Sequence, residues 1–61
     1  MKIGDMIIKE GDSDVGQSGV VLEINTNILG HEFIKALTSD GKIKIWYAKL
    51  VRNIDSSYMQ N

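Results

Sequence analysis

Six glycines, at positions 4, 11, 16, 19, 30 and 41, cut this proline-free chain into short apolar runs rich in Ile and Val. None of the runs sustains the 3.6-residue period of a helix, while several alternate with the two-residue period of a strand. Met6-Ile7-Ile8 reads as a first strand. The polar segment from 10 to 18 that follows, with Gly11, Asp12, Asp14 and Gly16, reads as a loop. In Gly19-Val20-Val21-Leu22-Glu23-Ile24, alternation puts Val20, Leu22 and Ile24 on one face and Glu23 on the other. Asn25-Thr26-Asn27 reads as a turn, and Ile28-Leu29-Gly30-His31 as a loop with an apolar tip.

Residues 32–38 and 42–47 form two further predicted strands around Ser39-Asp40-Gly41. Ser39 and Asp40 suit the centre of a type I turn, and Gly41 suits the left-handed position of a G1 bulge, which opposes Leu37 to Ile43. This register puts Phe33, Leu37, Ile43, Ile45 and Tyr47 on one face, assigned to the core. Ile34, Ala36, Lys42, Lys44 and Trp46 fall on the other, and a slip of one residue would exchange the two. Ala48-Lys49-Leu50 is predicted to make one helical turn before a short last strand over 51–54. The expected fold is therefore all-β: a small five-stranded SH3-like barrel over residues 1–55 with a one-turn helix before the last strand. A reduced OB-fold is the alternative, though it normally needs a longer helix. Residues 56–61 are expected to be a flexible tail.

At 61 residues there is room for one domain, and a chain this short buries only about 60% of its unfolded surface. With no cysteine and a single histidine, disulfides and thiolate metal sites are unavailable as reinforcement. Self-association or a partner surface remains. The net charge of -1 argues against non-specific binding to phosphate backbones. No apolar run is long enough for a secretory core or approaches the ~20 residues of a membrane span. A cytoplasmic location is the expectation.

Two stretches, Gly16-Gln17-Ser18-Gly19-Val20-Val21-Leu22-Glu23-Ile24 and Ser39-Asp40-Gly41-Lys42-Ile43-Lys44-Ile45-Trp46, resemble small SH3-like barrel proteins of tailed bacteriophages, including cyanobacterial phages. The opening Ile3-Gly4-Asp5-Met6-Ile7 is similar to the start of those barrels and of KOW modules. The resemblance implies a phage protein, either a virion component or a host-directed binder, located in the virion or the host cytoplasm. It implies no catalytic residue. From 10 to 23 the chain carries Glu10, Asp12, Asp14 and Glu23 but no lysine or arginine, unlike a KOW module. The paired tyrosines and tryptophan-centred groove of a proline-peptide SH3 domain are also missing.

No nucleophile and base, or pair of carboxylates, is spaced for catalysis. His31 beside Glu32 is expected to be an exposed loop residue. Glu10, Asp12 and Asp14 alternate as in a calcium loop, but counting from Glu10 puts Val15 where such a loop needs glycine and Val21 where it needs glutamate. Gly16-Gln17-Ser18-Gly19 lacks the Lys-Ser and helix of a phosphate cradle. What remains is a strip of Lys42, Lys44 and Trp46 with Ile34 on the same face, and Lys49 and Arg52 beyond. Trp46 either caps an open end of the barrel under the lysine stems or enters a partner's pocket.

These observations predict a non-enzymatic, cofactor-free module that works by protein-protein contact, with its own copies or another protein, through Trp46, Lys44, Lys42 and Ile34. Ile28, Leu29 and Phe33 form a second candidate patch for self-association or core packing. The competing expectation is a small nucleic-acid binder using the basic strip of Lys42, Lys44, Lys49 and Arg52. No small-molecule substrate is indicated.

Overall fold

The computed structural model describes residues 1–54; the expected tail over 56–61 lies outside them. Five strands, β1 (Met6–Lys9), β2 (Ser18–Thr26), β3 (Glu32–Thr38), β4 (Ile43–Tyr47) and β5 (Val51–Asn53), form one antiparallel sheet in the order β4-β3-β2-β1-β5. A 3₁₀ turn at Ala48–Leu50 is the sole helical element among the described residues. That turn alone links the strands at the two ends of the sheet. Three residues of 3₁₀ helix rise about 6 Å, whereas five flat strands would hold their outer members about 19 Å apart. The sheet must therefore coil. Its edges approach without joining, since no ladder pairs β4 with β5.

The β3–β4 hairpin has the turn its sequence predicts. Gly41 N–H donates to Thr38 C=O at 2.9 Å, Thr38 N–H to Lys42 C=O at 2.8 Å, and Gly41 takes a φ of +86°. Leu37 stands opposite Ile43. The β2–β3 reversal falls later than predicted, because pairing continues to Thr26↔Glu32 and Asn27 organises the turn. Asn27 Oδ1 accepts the N–H groups of Leu29 and His31, both at 2.9 Å. This turn leaves Ile28 fully exposed and Leu29 largely so, an apolar tip held in a fixed shape.

The core lies on the face opposite to the expected one. Ile7, Val21, Ile34, Ala36, Trp46 and Val51 are buried, with Ile24 and Ala48 packed against them. Each of the wholly buried side chains Ile7, Val21 and Ile34 contributes about 1.5–3 kcal/mol. Leu37, Ile43, Ile45 and Tyr47 lie on the outer face and are 40–66% exposed, and Phe33 is half-buried there.

Two features cause the reversal. A register shift between Val21 and Glu23 takes Leu22 out of the ladder, so that Val21 and Ile24 share the inner face, opposite Ala36 and Ile34. The predicted grouping of Val20, Leu22 and Ile24 is thereby broken, and Val20 instead opposes Leu37 outside. The second feature is the β1–β2 loop, which folds beneath β4 and supplies the polar partners of Trp46 and Lys44.

Candidate interaction surface on the β4 edge

The strip chosen from sequence is not presented as a unit. Trp46 is 5% exposed and Ile34 is fully buried, so neither offers a contact surface. Lys44 is partly buried and pairs with Asp14 at 3.7 Å. Lys42 is exposed beside the hairpin turn. Further along, Arg52 pairs with Glu10 at 2.7 Å, and Lys49 Nζ lies 5.8 Å from the centre of the Tyr47 ring. Two of the four cations proposed to hold phosphates are thus engaged by carboxylates of the β1–β2 loop.

That loop spends its polar groups internally. The Lys9 side chain is buried on the inner face, and its ammonium donates to Gly11 C=O and, at 2.8 Å, to Ser13 C=O. It occupies the position a bound cation would need in order to use those carbonyls. Asp12 and Asp14 sit at φ near +60°, a conformation Asp tolerates better than most residues. Asp14 accepts the Trp46 Nε1–H at 3.1 Å. Among the described residues, no group of three His, Cys, Asp or Glu side chains is arranged to hold a metal ion. His31 is exposed, with its ring edge-on to Tyr47 at 6.3 Å.

The most exposed apolar row on a strand belongs to β4. Antiparallel pairing alternates hydrogen-bonded and non-hydrogen-bonded pairs. The Thr38–Lys42 bond sets the phase, so Lys44 and Trp46 turn their backbone groups toward β3. Ile43 and Ile45 turn theirs outward, and no backbone partner meets them among the described residues. The Tyr47 N–H points the same way.

The side chains of these three residues form the exposed outer row, at 55%, 66% and 40% for Ile43, Ile45 and Tyr47. Phe33 stacks on Tyr47 with ring centres 4.7 Å apart, and extends the row onto β3. Lys35 and Glu23, on the same face, pair with each other at 3.3 Å, and the Lys49 ammonium lies by the Tyr47 ring. Carboxylate acidity follows from these contacts: hydrogen bonds from Asn25 and Lys35 hold Glu23 below its ordinary value. Proteins commonly blunt an open edge with proline, an outward charge or a bulge. β4 has no proline, bulge or outward charge; its one charge, Lys44, lies on the inner face and pairs with Asp14. The pattern Ile43-x-Ile45-x-Tyr47 carries this surface in the sequence, where it is indistinguishable from a core-facing row.

No helix among the described residues is long and apolar enough to cross a membrane. Comparison with known protein families, curated proteins and solved structures finds no match to this chain.

Proposed function

We propose that the chain is a non-catalytic protein-binding module, built as an abbreviated SH3-like barrel, whose contact surface is the open β4 edge. A four-strand meander, a 3₁₀ step and a fifth strand returning to β1 is the connectivity of that barrel class, and the coiled sheet supports the assignment. One observation carries the binding reading: the strand with unpaired outward backbone groups is also the strand whose exposed side chains are Ile43, Ile45 and Tyr47. An added protein strand gains main-chain hydrogen bonds and a row of apolar contacts together. The resemblance to phage barrels extends the class of partner to a virion or host protein. A phosphate-tracking strip has less support, because Lys44 and Arg52 are already held by Asp14 and Glu10.

A photo-cross-linking amino acid at position 45, in cells producing the chain, tests the reading. Covalent protein adducts are expected from position 45 and not from position 2, where the Lys2 side chain is also exposed. Irradiation that returns only the free chain from position 45 would overturn it.

A further inference from the structure

We infer that the chain also binds a free α-amino acid with an aromatic side chain, in a cleft where β4 ends and β3 begins. The cleft spans about 420 Å³ between Gly30, His31 and Glu32 on one side and Tyr47, Ala48 and Lys49 on the other. That volume lies in the range of small-molecule sites. Asn27 clamps the turn that carries Gly30 and His31, Ala48 packs against the core, and Phe33 stacks on Tyr47 with ring centres 4.7 Å apart. The walls are thus set before a ligand arrives, which spares it the cost of ordering them.

Charge selects the occupant. Four ion pairs join Asp5, Glu10, Asp14 and Glu23 to Lys2, Arg52, Lys44 and Lys35 respectively. Lys9 is spent on loop carbonyls, and Asp40 accepts from the Thr38 hydroxyl. Among the described side chains, Asp12, Glu32, Lys42 and Lys49 then remain without an ion pair. Glu32 and Lys49, opposite in sign, line this one cleft. They do not pair with each other, and the Lys49 ammonium lies 5.8 Å from the centre of the Tyr47 ring instead. A ligand carrying both an ammonium and a carboxylate satisfies both groups. A simple anion would bring its charge against Glu32, and a simple cation against Lys49. The rings set the body of the ligand. Those of Tyr47 and His31 stand 6.3 Å apart at 71°, a corner in which a third ring stacks on one and meets the edge of the other. A free aromatic amino acid unites these features, whereas a residue inside a peptide lacks both main-chain charges.

Phenylalanine is titrated into the isotope-labelled chain to about 50 mM, where even a millimolar affinity approaches saturation. The amides of residues 30–32 and 47–49 are expected to shift along saturating curves. Phenethylamine, which lacks the carboxylate, and hydrocinnamate, which lacks the ammonium, should each bind roughly two- to fivefold more weakly, the effect of losing one exposed ion pair. Lys49→Gln should erase the margin over phenethylamine, and Glu32→Gln the margin over hydrocinnamate, each leaving the other margin in place. Both positions are exposed, and the same amide spectra report whether each variant is folded. Phenylalanine that produces no saturable shift at these positions would overturn the inference. So would analogues that bind as tightly as phenylalanine, or margins that both folded variants leave untouched. Adducts from position 45 are read without added amino acid, so the protein-contact reading stands or falls separately.

Discussion

Trp46 Nε1 donates to Asp14 Oδ2 at 3.1 Å, across 32 positions of sequence. The same carboxylate lies 3.7 Å from Lys44 Nζ. One loop residue thus satisfies the indole and partly neutralises the strand beside it, which lets the face bearing Trp46 turn inward. Removing this carboxylate by Asp14→Ala leaves a buried N–H without its partner, a cost of about 1–3 kcal/mol. Tryptophan emission should shift to the red as the loop lifts. Asp14→Asn keeps an acceptor for the indole and should recover most of the loss, which thermal denaturation of the two variants will compare.

Neighbouring positions on β4 should respond in opposite ways. Trp46→Ala empties the inner face and costs about 3–5 kcal/mol, enough to unfold a domain whose small core supplies about that much. Ile45→Ala trims a side chain that is 66% exposed and should change stability by no more than about 0.5 kcal/mol. Far-ultraviolet circular dichroism with urea titration, in dilute solution, distinguishes this arrangement from the reverse assignment of faces.

Lys9→Met keeps the apolar stem of a buried side chain but strips Gly11 C=O and Ser13 C=O of their common donor. A loss of about 1–3 kcal/mol is expected. Amide exchange should accelerate first in residues 10–16, because their fold depends on that ammonium, while β2 and β3 stay protected.

Gly19 lies where β2 crosses close to β3, and a Cβ there would come within 2.9 Å of the Leu37 carbonyl oxygen. Backbone cannot rotate aside as a side-chain tip can. Gly19→Ala should therefore separate the two strands locally, at a cost of about 1–3 kcal/mol. Loss of amide protection at Leu37 is the diagnostic reading.

Asp40 accepts a hydrogen bond from the Thr38 hydroxyl, which chiefly holds its carboxyl below the ordinary range, with smaller help from Lys42 and Lys44. Asp5, through the Lys2 backbone N–H and Asn53, and Glu23 shift in the same direction. A folded value below the unfolded one gives stability that is complete above the unfolded carboxylate range and lost as pH falls through the folded value. The urea midpoint should therefore decline on acidification below about pH 4. Carboxyl carbon NMR should place the Asp40 midpoint below the ordinary value, and Thr38→Val should raise it.

Much of the fold was legible because turn chemistry is local. Ser39-Asp40-Gly41 dictated both the hairpin and its register, and Ala48–Leu50 was recognisable as a single turn. The site was less legible. β3 is apolar on both faces, Phe33 and Leu37 against Ile34 and Ala36, so alternation separates two faces without saying which is inside. Counting Lys42 and Lys44 made the Trp46 face look like the solvent face. A bulge at Leu22 was invisible in a continuous run of β-branched and apolar residues. The exposed Ile43, Ile45 and Tyr47 were correctly grouped as one row, and were placed on the wrong side of the sheet.

The sequence by itself determined the five strands, the β3–β4 turn and its register, and which residues of β3 and β4 travel together on a face, since each depends on neighbours within a few positions. Tertiary structure alone decided which face is wet. That choice turns on Asp14 reaching Trp46 and Lys44, and on Lys9 gathering the loop carbonyls beneath β4. Such contacts satisfy buried polar groups across the fold, and a side chain's cost of burial depends on whether its partner arrives from elsewhere in the chain.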